Sequence, residues 1–298
     1  MAVTMMKQEA ANAQPHACDA NSSAMPLQET EKSEALSFLA ERPLHTVYMA
    51  SLIRDNGVES PLNRGKFYGY RASQGPLEGI ALLGHATLIE ARSECSLTAF
   101  ARLAQQSSLP HLIRGEEERI RKFWREYERC GQRARRVSRD LLLEQVDAPA
   151  GKDVTGLRQA TFDDLEAFVR VNSELLRDET GSDPLQRDPE GFRSRLAQRI
   201  ARGRNWIWTE DGKVLFKADI IGDTPEVIYL EGIYVDPAER GKGYGSICLK
   251  QLGRILLRRT GSICLTLNAT KEKTKNFYTK AGFALRSYYD TIYLQTAQ

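Results

Sequence analysis

Between Val235 and Ser246 the chain reads Val235-Asp-Pro-Ala-Glu-Arg240-Gly241-Lys242-Gly243-Tyr244-Gly245-Ser246. Three glycines at alternate positions remove the Cβ atoms that would keep main-chain N–H groups from closing on an anion. The segment follows an almost continuously apolar run, Val227–Val235, and precedes Ile247, Leu249, Leu252, Ile255 and Leu256 at helical spacing. A glycine-rich turn between a buried strand and a helix adds the positive end of the helix dipole to those N–H groups, which is the chemistry of a pyrophosphate cradle. The G-x-G-x-G spacing fits neither the dinucleotide fingerprint G-x-G-x-x-G nor the triphosphatase loop G-x-x-x-x-G-K-[ST].

A second segment runs from Asn268 to Phe277-Tyr278-Thr-Lys-Ala-Gly282-Phe283. Together the two resemble the GNAT family of N-acetyltransferases, whose motif R/Q-x-x-G-x-G/A after a strand ending in Val is matched by Arg240-Gly-Lys-Gly243-Tyr-Gly245. The resemblance covers residues 154 to 295 and implies acetyl-coenzyme A as donor. It implies that the pyrophosphate lies on Arg240, Gly241, Lys242, Gly243, Tyr244, Gly245 and Ser246, and that the pantetheine runs along Ile233, Tyr234 and Val235.

Direct acetyl transfer needs a neutral amine, a polarised carbonyl and an acid for the leaving thiolate. The resemblance implies Tyr278 as that acid and a strand N–H, that of Val235, for the oxyanion. Glu231 is the candidate base: strand alternation puts it on one face with Ile233 and Val235, and burial would raise its pKa. Relatives carry Asn and Ala where this chain has Lys271 and Thr274, so Asn268 is the candidate to contact pantetheine instead. Lys242, Lys273 and Lys275 read as solvated lysines before phosphate ligands. Glu174, Glu179 and Asp183 around the first helix of this half would suit a cationic amine acceptor, on a small molecule or a protein, although a solvated acidic loop is the plainer reading.

The elements that position these residues follow from local signals. Thr161 and Asp164 form a capping-box pattern before Leu165, Phe168, Val169 and Leu176 at helical spacing. A second helix carries Phe192, Leu196 and Ile200, and Asp211-Gly212 separates two strand-like runs. The predicted order is strand, two helices, three strands, helix, strand, helix and one or two closing strands. The first half echoes it: helices over Ser33 to Asn56, strand segments Phe67 to Arg71 and Leu77 to Glu90, a helix Leu97 to Gln106, a short strand His111 to Ile113, a helix Glu116 to Arg129 and a strand Leu141 to Val146. The fold expected is therefore α/β, two GNAT-like domains that each wrap a mixed sheet in helices. The divisions expected are a disordered tail over 1–30, a degenerate domain over 31–147 and the acetyltransferase domain over 153–298.

Where the first half should carry its cradle it reads Ile89-Glu-Ala-Arg-Ser-Glu-Cys-Ser96, without a glycine. Its role is then to shape the acceptor cleft or to stabilise. Residues 114–139 hold ten Arg or Lys against five Glu. Because Ile120, Phe123, Trp124 and Tyr127 follow helical spacing, they read as a core face, and nucleic acid is not expected as a partner. Arg133, Arg135, Arg136 and Arg139 remain as a basic cluster. That cluster keeps open an aminoacyl-tRNA-dependent transferase of the same fold, and a non-catalytic acyl-coenzyme A sensor is the other alternative.

Of 298 residues, 41% are hydrophobic and 27% charged, with 42 Lys plus Arg against 39 Asp plus Glu, a net +3. That is ordinary globular composition, long enough for two cores. No run approaches the ~18 apolar residues of a membrane helix, and no secretory signal is evident, so a cytoplasmic protein without a membrane partner is expected. Five scattered cysteines and four dispersed histidines suggest reduced thiols and no metal site. Oligomeric state is not legible.

Overall fold

The structure, a computed structural model, describes residues 24–106 and 112–295, without the side chains of 179 and 180. In the first half, β1 (Ala24–Pro26), α1 (Lys32–Ala40), α2 (Pro43–Asn56), β2 (Gly65–Arg71), β3 (Leu77–Gly84), β4 (Ala86–Ala91), α3 (Glu94–Gln105), β5 (Leu112–Glu116), α4 (Glu117–Tyr127) and β6 (Ala134–Gln145) succeed one another. The second half has β7 (Arg158–Gln159), α5 (Leu165–Thr180), α6 (Pro184–Arg187), α7 (Pro189–Ala201), β8 (Asn205–Glu210), β9 (Lys213–Asp223), β10 (Val227–Val235), α8 (Tyr244–Leu256), β11 (Ser262–Asn268), α9 (Glu272–Lys280) and β12 (Ala284–Leu294).

Local chemistry accounts for the boundaries. Thr161 and Asp164 make the reciprocal capping box, and Gly181 at φ 71° ends α5. In α8, Cys248, Leu249, Leu252 and Leu256 bury one stripe against the sheet. The run Leu77 to Glu90 is two strands, because Gly84 and His85 reverse the chain into the β3–β4 hairpin. The expected tail also overlaps the described residues. Ala24–Pro26 pairs with β2 and Leu27 enters a core with Phe38, Ile53 and Phe67, contacts that composition alone does not encode. The rest of that tail and His111 lie outside the described residues.

All twelve strands form one sheet, in the order β1-β2-β3-β4-β5-β12-β6-β11-β10-β9-β8-β7. Each half repeats the same pairing: three antiparallel pairs and then one parallel pair, β4 with β5 and β10 with β11. The halves then exchange their last strands. β12 inserts between β5 and β6, and β6 lies between β12 and β11, so the two expected sheets are continuous. α8 covers one face of the second module over Leu249, Leu252, Phe216 and Ile263. On the opposite face α5 and α7 pack over Phe168, Leu196 and Ile207. There α2 of the first module joins them: Val47 packs with Val227, Tyr229 and Cys264, and Ser51 Oγ accepts from the Asp223 N–H at 3.0 Å.

Candidate acetyl-transfer site

β10 pairs with β11 only from Val227 to Leu230, opposite Ser262 to Leu265. β10 continues to Val235 and β11 to Asn268 without further pairing, so the two parallel strands splay apart. On its other edge β10 stays paired to β9 as far as Val235. Residues 231–235 therefore present one main-chain edge to the gap, ready for the amide groups of an extended ligand.

At the mouth of this gap the chain turns into α8. Asp236 Oδ1 accepts from the Ala238 N–H at 2.8 Å, and Arg240 Nε donates to the Val235 carbonyl at 3.1 Å, which ties the turn to the strand end. The three glycines serve two purposes, not the single one expected. Gly241 and Gly243 have φ 84° and 89°, and a Cβ on either would meet nothing within 4 Å. Backbone conformation, rather than space, requires glycine there. At Gly245 a Cβ would lie 2.7 Å from Val235 Cγ2, so this glycine lets the helix close on the strand. The first N–H groups of this 13-residue helix have no intrahelical acceptor and face outward with the dipole. Lys242 is held by Glu239 at 3.0 Å, while Tyr244 packs edge-on against Trp208.

The remaining expected residues divide. Tyr278 is 8% exposed on α9, its ring between Phe277 and Phe283. Phe277 also approaches the position of Gly245, which brings α9 beside the start of α8. Asn268 lies at the end of β11 with its amide engaged: Nδ2 donates to Ser138 Oγ at 2.8 Å, and Oδ1 accepts from Thr270 N and Oγ1. Asp183 caps α6 through the Leu185 N–H and accepts from Ser173, and Glu174 is exposed near Tyr234.

Glu231 departs from expectation twice. It is exposed rather than buried, and it does not share a face with Ile233 and Val235. Register explains the second point: Glu231 pairs with Asp219 and Tyr234 with Lys217, so two residues of β10 oppose one of β9. This bulge, with Gly232 at φ 58°, shifts the alternation by one. Glu231 and Tyr234 take the α2–α5–α7 face, while Ile233 and Val235 pack toward α8. On that face the Glu231 charge reaches Tyr48 of α2, whose phenol is pushed upward first by burial and then by that charge.

Sequence reasoning missed a buried cluster under the bulge. Lys217 and Asp219 are 1% and 2% exposed and pair at 2.7 Å. Lys217 Nζ also donates to Asn172 Oδ1 at 2.8 Å, and Asn205 Nδ2 donates to Asp219 Oδ1 at 2.7 Å. Burial pushes the Lys217 ammonium down, against the pull of Asp219. Two charges at i and i+2 in Val214-Leu-Phe-Lys-Ala-Asp-Ile-Ile were the available signal, since they share one face of a buried strand.

The equivalent position in the first module is filled by protein. β4 pairs with β5 only from Ala86 to Leu88. Beyond it, Glu90, 4% exposed, binds Arg42 at 3.1 Å and Arg119 at 2.6 Å, and Arg119 also donates to the Ala91 carbonyl. Ser93 accepts from the Ser96 N–H and so caps α3 itself. Carboxylate, guanidinium and hydroxyl groups thus satisfy what a ligand would otherwise use.

In the basic segment Ile120, Phe123 and Tyr127 are core as their spacing predicts and Trp124 is only partly buried, while Arg139, expected in the basic cluster, pairs with Glu117 and Asp290. Cys130, Cys248 and Cys264 are free thiols, but Cys95 is disulfide-bonded, which corrects the expectation of reduced cysteines throughout. Among the described residues no cluster of His, Cys, Asp and Glu could hold a metal, and no helix is long and apolar enough to cross a membrane.

Residues 169–283 match the model of the acetyltransferase (GNAT) family, and the second half of the chain carries a GNAT-family domain. No protein of curated function matches the sequence. The fold is similar to that of a GNAT-family acetyltransferase from Colwellia psychrerythraea, at 14% identity and TM-score 0.55 over 92% of this chain and 99% of that one. A Drosophila protein is similar at 14% identity and TM-score 0.67, again over 92% and 99%. A tandem GNAT protein from the clavulanic acid biosynthesis pathway is similar at 13% identity and TM-score 0.58, over 93% and 99%. At such identities the likeness is one of fold, and it spans both halves.

Proposed function

We propose that the chain is an acetyl-coenzyme A-dependent N-acetyltransferase that acetylates a primary amine of a small molecule or protein by direct attack. The observation that carries this is the junction of a splayed strand pair with a left-handed glycine turn and a helix N-terminus, in a domain of the GNAT family. The donor supplies an activated thioester. N–H groups from Gly241 to Ser246 would hold its pyrophosphate, and the free edge of Ile233 to Val235 would hold its pantetheine arm.

The acceptor would approach on the face where Glu231, Tyr48 and Glu174 stand. Glu231 is the candidate to take the ammonium proton, directly or through water, and its exposure leaves it accessible to the acceptor. The main-chain N–H of Val235 is the candidate donor to the oxyanion. Tyr278 is the candidate acid for the thiolate. The filled cleft of the first module supports one donor site per chain, and the packing of α2 on β9 and β10 supports a role for that module in shaping the acceptor side.

Calorimetric titration with acetyl-coenzyme A, followed by thiol release with a panel of primary amines, tests the proposal. One site per chain and amine-dependent thiol are expected. Binding without release would favour the sensor, and no binding together with salt-sensitive RNA binding would favour the tRNA-dependent alternative.

A further inference from the structure

The cluster under β10 is costly where it stands. Burying a Lys–Asp pair rarely repays its desolvation, and an apolar pair of similar volume usually serves stability as well or better. Yet Lys217 and Asp219 are almost fully enclosed, with Asn172 from α5, Asn205 from β8, Phe168 beneath the ammonium at 5.5 Å and Arg199 of α7 at 3.9 Å from Asp219. Both α5 and α7, together with β8, contribute to holding them.

On the remaining side they face Gly232. A Cβ on that residue would lie 2.9 Å from both Lys217 Nζ and Asp219 Oδ2. The two charges therefore fill the space directly under the left-handed bulge residue. The bulge is also where β10 changes character: pairing with β11 ends at Leu230, and the free edge begins at Glu231. It turns Glu231 toward α2 while Ile233 and Val235 face α8. Burial lowers the Lys217 ammonium, Asp219 opposes this, and the Glu231 charge adds a smaller pull in the same direction as Asp219.

We propose that Lys217 and Asp219 are positioning residues for acyl transfer: their buried ion pair props the Gly232 bulge, setting both the free edge of 232–235 and the direction of Glu231. The proposal rests on the acetyl-transfer reading of the same site. An apolar filler would occupy the volume without directional bonds, whereas the ion pair is anchored by two asparagines and fixes one bulge geometry. Misplacing a reacting geometry by ~1 Å can cost about 10²-fold in rate, so such a prop would act on turnover rather than on donor affinity.

The test uses the full chain and the double variant K217Q/D219N, which removes both charges and keeps partners for Asn172 and Asn205. Circular dichroism and thermal melting establish that it folds. Expected are faster amide hydrogen exchange in the peptide covering 231–235, by about tenfold, with β11 unchanged. Turnover with an amine acceptor should drop about 10²-fold while acetyl-coenzyme A affinity stays within about twofold. Wild-type exchange and wild-type turnover in a folded double variant would overturn the proposal, leaving the pair a filler. If the wild-type chain releases no thiol with any amine, the acetyl-transfer reading fails, and the exchange measurement still decides whether the pair holds the bulge. Should the double variant not fold, the apolar double variant K217M/D219L, which fills the same volume without the directional bonds to Asn172 and Asn205, reads the same coupling. Reduced turnover with unchanged donor affinity supports the prop, and wild-type turnover overturns it.

Discussion

The side-chain amide of Gln145 donates a 2.7 Å hydrogen bond to the carbonyl of Ala281, at the end of α9. Gln145 belongs to the first half of the chain, Ala281 to the second, and the bond is buried. It follows from the strand exchange, because β6 runs beside β11 with Leu143 opposite Leu265. A fragment of residues 153–298 would leave β11 with an open edge and β12 without either neighbour. Such a fragment is expected to aggregate or to lack a cooperative melt, whereas co-expression with residues 1–147 restores a soluble complex in size-exclusion chromatography. A monomeric, cooperatively melting fragment would show that the exchange is dispensable.

The glycine turn allows charge and strain to be separated. At Gly243 the φ of 89° disfavours any side chain by about 1–2 kcal/mol, but Asn tolerates this region better than most residues. Gly243→Asn and Gly243→Asp have nearly the same shape, so their difference reports charge. Calorimetry with acetyl-coenzyme A is expected to show the Asp variant weaker than the Asn variant by about tenfold, or ~1.4 kcal/mol. Equal affinities would place the pyrophosphate elsewhere.

Much of this turn was legible because its chemistry is local: an apolar strand, alternating glycines and an amphipathic helix are adjacent in sequence. The order of elements in the second half was legible for the same reason, apart from the one-turn helix α6 between α5 and α7, too short to leave a periodic pattern. What sequence could not supply was phase and partnership. Period-two alternation put Glu231 with Ile233 and Val235, and a single bulge reversed that, since one extra residue flips every later side chain. Asn268 looked available to a ligand until Ser138, from the other half, took its amide. The pairing of β12 with β5 and β6 is likewise not written in either strand, whose apolar pattern would suit any neighbour.

The entry to α5 carries a pH dependence. Arg158 holds the Asp164 carboxyl below its ordinary range through hydrogen bonds of 2.7 and 2.9 Å, burial opposes this, and the Thr161 N–H adds to the lowering. A carboxyl depressed in the folded state stabilises above its unfolded pKa, and that stabilisation is lost as pH falls through the folded value. Asp164→Ala should cost about 1 kcal/mol at neutral pH, the usual value of a lost helix cap. Urea midpoints of wild type and variant should converge below about pH 4, as the wild-type carboxylate is protonated. A gap independent of pH would assign the loss to packing alone.

Tyr278 and Glu231 make opposite demands on a kinetic experiment. Tyr278 is enclosed by Phe277 and Phe283, so Tyr278→Phe keeps the ring and removes only the hydroxyl. If that hydroxyl protonates the departing thiolate, kcat falls by about 10²- to 10⁴-fold with acetyl-coenzyme A affinity unchanged. Normal turnover returns Tyr278 to the core. Glu231 is exposed, and Glu231→Gln should leave stability nearly untouched. Its effect belongs in the pH profile: if the carboxylate accepts the proton of the ammonium, the acidic limb of kcat/KM flattens, because the group whose protonation shut the enzyme down is gone. A limb that survives Glu231→Gln assigns that step to water or to another base. The two variants thus test leaving-group and nucleophile chemistry separately, one through the size of kcat and the other through the shape of its pH dependence.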